Sequence, residues 1–135
     1  MIEGAGRDWY TNGYTPPRIG VGDFSWGDAE TQQFGGPWYP DHQCHQNGLE
    51  VDIRYTRNDG FEIGLNLADS TQWQYFDEDA TKALFRYLMT NANMDSIFVD
   101  TVHTSLGDLG DFIVHKSGHS DHFHVRIVDP DGTGN

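Results

Sequence analysis

Two segments with a strict period of two, on either side of one helical pattern, set what this chain can fold into. Leu49, Val51, Ile53 and Tyr55 alternate with Glu50, Asp52, Arg54 and Thr56, and far downstream Phe123, Val125 and Ile127 alternate with His122, His124 and Arg126. Successive strand side chains point to opposite faces, so each segment predicts a strand with one apolar and one polar face. Between them, Asp77 is the expected N-cap of a helix over residues 78–93. Ala80, Ala83, Leu84, Tyr87, Leu88 and Asn91 fall there at helical spacing, with acidic residues in the first turn. Asn58-Asp59-Gly60 predicts a turn and residues 61–67 a returning hairpin strand, while Ser96-Ile97-Phe98-Val99 predicts a buried strand. Residues 1–40, rich in Gly, Pro and aromatics, predict long irregular loops with short strands at most, whose aromatic side chains more often cover a core edge than bind a ligand.

The expected fold class is therefore α+β: a small antiparallel β-sheet with one main helix packed on one face, and long N-terminal loops. If both period-two strands turn their apolar faces to the helix, Asp52, His122 and His124 share the other, open face. The chain of 135 residues has the size of one domain, read here as residues 1–128. A polar tail over residues 129–135 follows, either a linker or the start of a calcium-binding repeat of the Asp-x-Asp-Gly kind.

Composition removes several classes of function. The net charge of −13 comes from 21 acidic against 8 basic residues, with no Lys/Arg cluster to neutralise a phosphate backbone, so nucleic acid is not an expected partner. No run approaches the roughly 18–20 apolar residues of a membrane helix, and the first residues lack the basic-then-apolar pattern of a signal peptide. Cys44 is the only cysteine, which excludes an intrachain disulfide and a Cys-rich structural zinc site. A metal would have to be held by histidine and carboxylate, the donor set typical of catalytic zinc.

Five of the seven histidines lie in two short windows, His42 and His45 in the first and His119, His122 and His124 in the second. Such density suits a transition-metal site or proton transfer near neutral pH. Catalytic zinc commonly has three protein ligands with water in the fourth position, and His45, Asp52 and His124 satisfy that count. Zinc lowers the pKa of bound water to about 7 and polarises carbonyls, so amide hydrolysis is the natural use. His122 projects beside His124 from the same strand face and could act as general base or stabilise an oxyanion, with His119 and His42 in the next ring. Glu50 shares the polar face, as a partner of a ligand or as a solvated charge. His103 and His115 read as ordinary surface or loop residues.

The strings His42-x2-His45-Gln46-x-Gly48-Leu49-x-Val51-Asp52-Ile53 and His119-x2-His122-x-His124-Val125-Arg126 resemble the two motifs of the penicillin-insensitive murein endopeptidases. These belong to the metallopeptidase group that joins lysostaphin-type endopeptidases, D-alanyl-D-alanine metallopeptidases and hedgehog-type domains. The resemblance spans roughly residues 18–128, and the chain differs in having a single cysteine and Glu50 where an aspartate is common. It implies one Zn2+ per chain on His45, Asp52 and His124, with His122 and His119 catalytic and His42 lining the site. The implied activity is hydrolysis of D-alanyl to meso-diaminopimelyl cross-links in peptidoglycan, outside the cytoplasm. A D,D-carboxypeptidase of the same group and a non-catalytic zinc-containing binding module are the alternatives.

Overall fold

The computed structural model of the protein describes residues 19–24 and 50–128, with the isolated positions Arg7, Thr11 and Gly13. Of residues 1–40, expected to be irregular with short strands at most, the described part contains one short strand, Val21–Phe24. The rest of that region, residues 41–49 and the tail over 129–135 lie outside the described residues. Among those described, the elements are β1 (Val21–Phe24), β2 (Glu50–Arg54), α1 (Glu78–Asn91), β3 (Met94–Val99), β4 (Ile113–His115) and β5 (His122–Ile127). Short 3-10 turns cover Ser70–Tyr75 and Thr104–Leu109.

The fold is α+β, an open sheet of order β1-β2-β5-β3-β4 with one main helix. It is a mixed sheet, which corrects the antiparallel expectation: β4 runs parallel to β3, whereas the β1–β2, β2–β5 and β3–β5 pairs are antiparallel. The reason lies in the stretch between β3 and β4, which contains Gly107 and Gly110. The Thr104–Leu109 turn carries the chain across, and a crossover of this length lets β4 return beside β3 in the same direction.

Cross-strand pairing sorts the side chains into rows. Val51 pairs with Val125, Val125 with Ile97, and Ile97 with Ile113, and all four are buried in the core. The neighbouring row, on the opposite face, runs Asp52, His124, Phe98 and Val114. A one-residue slip would exchange the two rows, so burying the first fixes the second.

Helix α1 begins as expected, with the Asp77 side chain accepting from the Ala80 N–H at 2.9 Å and Glu78 and Asp79 in the first turn. It ends at Asn91, two residues early, where Ala92 turns extended. Its buried stripe is Ala80, Thr81, Leu84, Phe85 and Leu88, so Thr81 and Phe85 replace the expected Ala83, Tyr87 and Asn91. Phe85 draws the stripe round, because its ring meets Phe123 of β5 edge to face at 4.8 Å. Thr81 is admitted to the core because Thr56 satisfies it through a short hydroxyl–hydroxyl contact of 2.5 Å.

Residues 61–67 form no strand. The chain beyond β2 pairs instead through the single bridge Arg57 to Phe76, with the Asn58 N–H donating to the Tyr75 carbonyl at 2.9 Å. That removes the partner a hairpin would need, although Gly60 does take the left-handed conformation of the expected turn at φ 79°. No helix among the described residues is long and apolar enough to cross a membrane.

Candidate metal and catalytic centre

The polar face over β2 and β5 brings together three of the expected site residues. Asp52 and His124 are direct cross-strand partners, and the His124 Nδ1 lies 2.8 Å from Asp52 Oδ1. His122, two residues along β5 on the same face, places Nε2 3.7 Å from the same carboxylate oxygen. Oxygen Oδ1 of Asp52 thus faces two imidazoles at once, a meeting that requires nothing beyond the β2–β5 register.

The expected openness of this face is corrected at its centre. Asp52 is 8% and His124 4% exposed, while His122 and His119 are half-buried. Glu50, also buried, accepts from the Arg126 Nε–H at 2.5 Å and turns Oε2 to within 3.8 Å of His124 Nε2. A solvated Glu50 is therefore excluded, and the residue works as a partner of His124 and Arg126. Without a cation, Nδ1 of His124 carries the proton toward Asp52 at 2.8 Å. A cation held between the two would displace that proton, and the Glu50 carboxylate on the Nε2 side suits the tautomer that would then be needed.

Phe98 completes the centre, and period two within β3 was the signal that could have found it, since Phe98 shares the face of Ser96 and opposes Ile97 and Val99. Its ring stacks on His124 at 5.4 Å with an 11° tilt, and Lys116 and Arg126 approach the same ring at 4.4 and 5.6 Å. Reading 96–99 as wholly buried concealed it.

His119 leans its ring edge on Phe98 at 5.6 Å and lies 5.2 Å from the His122 ring. Its Nδ1 faces the carbonyls of Ser117 at 3.1 Å and Lys116 at 3.3 Å. Carbonyls only accept, so Nδ1 carries the proton and Nε2 is the basic nitrogen. Partial burial, aided by the neighbouring imidazoles, holds this histidine below its ordinary pKa and keeps the ring neutral. On His122, Nδ1 lies 2.7 Å from the Asp121 carboxylate, which by the same logic leaves Nε2 as proton acceptor.

Asp52 and His124 fit zinc in chemistry, one carboxylate oxygen and one imidazole nitrogen side by side on rigid strands. Two donors of a tetrahedral ion with bonds of about 2.0–2.1 Å stand about 3.3 Å apart, so the 2.8 Å pair need open only slightly. Among the described residues no three His, Cys, Asp or Glu side chains are grouped so as to hold a metal. The third expected ligand, His45, and the lining residue His42 lie outside the described residues.

His103 stands in a loop, as expected, whereas His115 belongs to β4, and both are partly buried. His103 packs against Trp73 at 5.1 Å and Phe76 at 5.0 Å, and His115 Nδ1 meets the Asp100 carbonyl at 2.5 Å. Both lie near the far end of β3 and serve packing there. No known protein family matches the chain, and no curated protein matches it in sequence.

Proposed function

We propose that the protein is a zinc-dependent peptidase that hydrolyses peptide cross-links of bacterial peptidoglycan, of the D-alanyl-meso-diaminopimelyl endopeptidase type, and works outside the cytoplasm. The observation that carries this reading is the Asp52–His124 pair at 2.8 Å with His122 and His119 at its side. Donors for a cation and groups for proton transfer stand on one sheet face.

Asp52, His124 and His45 would hold one Zn2+ per chain. Bound there, the ion supplies the Lewis acidity that polarises a scissile carbonyl and activates water. The remaining work falls to the chain. His122 Nε2, presented by the Nδ1–H to Asp121 bond, takes a proton from the attacking water. His119, with Nε2 free of the Ser117 and Lys116 carbonyls, is placed to accept that proton in turn and, once protonated, to steady the developing oxyanion. Burial of Asp52 and His124 strengthens each electrostatic contact at this centre.

Incubation of the zinc-loaded protein with purified cross-linked muropeptides should release monomers, and a chelator should stop the release. Loss of a terminal D-alanine without cleavage of cross-links would move the assignment to a D,D-carboxypeptidase. Zinc binding with no hydrolysis of either substrate would leave a non-catalytic binding module and overturn the enzymatic reading.

A further inference from the structure

Tyr55 lies just beyond β2 on the core side, 3% exposed, with its ring 5.7 Å from Phe76 and 5.8 Å from Phe123. Its hydroxyl is a junction. The Asp100 N–H at the end of β3 donates to it at 2.9 Å, and it donates to the His119 carbonyl at 2.9 Å. An amide can only donate and a carbonyl only accept, so the direction of both bonds is fixed. Burial raises the phenol far above its ordinary pKa, with the Asp100 and Asp121 carboxylates adding to the rise, so this donor persists at every working pH.

The bond reaches through the sheet's end from the apolar side to the loop that carries His119. One residue on, the Ser120 carbonyl accepts from the Leu67 N–H at 2.6 Å. The His119 ring is in turn tied to the Lys116 and Ser117 carbonyls of its own loop. The imidazole is therefore fixed to the loop, and the loop is held by two bonds, one from Leu67 at Ser120 and one from Tyr55, next to β2, at His119 itself.

We infer that Tyr55 is a positioning residue whose hydroxyl holds the His119 imidazole against Phe98 and beside His122. Its effect on turnover rests on the peptidase reading; its effect on the position of His119 does not. Replacing Tyr55 by Phe removes only the hydroxyl and leaves the Asp100 N–H and the His119 carbonyl to find other partners.

Two readouts on the full-length, zinc-loaded protein test this. In Tyr55→Phe the NMR signals of the His119 ring, shifted by the Phe98 ring beneath it, should move and broaden while those of Phe85 stay in place. Turnover of cross-linked muropeptides should fall about tenfold in kcat with KM within about twofold, as expected when a reacting group is misplaced but the substrate site remains. In a His119→Ala background the same substitution should cost nothing further. Unmoved His119 signals would overturn the inference, as would losses that multiply in the double variant. Should Tyr55→Phe fail to fold, the unmodified chain decides: its Tyr55 hydroxyl proton should show a cross-peak to the Asp100 amide, and lack of one overturns the inference. A wild-type protein with no hydrolysis would count against the peptidase reading alone, and the NMR result would still decide the role of Tyr55.

Discussion

Phe85 links the core to the site and gives the sharpest test of the packing. Its side chain is wholly buried on α1, and its ring meets Phe123 at 4.8 Å and 74°. Phe123 is the β5 residue between His122 and His124, so the helix braces the strand that presents both imidazoles. Phe85→Ala removes a full ring and the edge contact, a change that costs about 3–5 kcal/mol. Phe85→Leu keeps much of the volume and should cost about 1–2 kcal/mol. Against the roughly 5–15 kcal/mol that stabilises a domain, the Leu variant stays folded at 25 °C while the Ala variant approaches its limit. Urea denaturation followed by circular dichroism would measure both, with an unchanged slope marking a pure stability effect. In the folded Leu variant, zinc affinity should stay within about threefold, since the Asp52–His124 register is set by the strand ladder. A loss below about half a kcal/mol for Phe85→Ala would refute the packing of α1 on β5.

Two further outcomes concern the periphery. A Cβ at Gly107 would lie 2.9 Å from His115 Nε2, and the ring is tied through Nδ1 to the Asp100 carbonyl. Gly107→Ala should therefore lose about 1–3 kcal/mol in thermal denaturation, and unchanged stability would contradict that crowding. Arg57 clasps Asp59 through Nε at 2.8 Å and through Nη2, and these bonds hold the Asp59 carboxyl down at about 2. A carboxyl lowered in the folded state stabilises it above the ordinary value of about 3.9, and that contribution is lost as pH falls from about 4 through about 2. In Arg57→Gln the 13C titration midpoint of Asp59 should return toward about 3.9; a midpoint still near 2 would show that Arg57 is not the cause.

Much of this architecture could be read from local pattern, and the parts that could not depend on partners far away in sequence. The alternation in β2 and β5 placed Asp52, His122 and His124 on one face, because strand period is a purely local property. Asp77 announced the start of α1 for the same reason. The direction of β4 was hidden because it depends on how a glycine-containing crossover winds back, and the absence of a hairpin over 61–67 depends on Phe76 taking the pairing of Arg57. Phe85 and Thr81 joined the helix stripe only through Phe123 and Thr56. At the centre, the burial of Glu50 and the reach of Tyr55 to His119 are contacts between strands and loops that no single segment encodes.

The central claim is that Asp52 and His124, with His45, hold one zinc ion while His122 acts beside it. Metal analysis of the purified protein and its variants tests it most directly. The account predicts about one zinc per chain in the wild type, near-complete loss in Asp52→Ala, His124→Ala and His45→Ala, and full retention in a hydrolytically inactive His122→Ala. Full zinc content in Asp52→Ala and His124→Ala would contradict it.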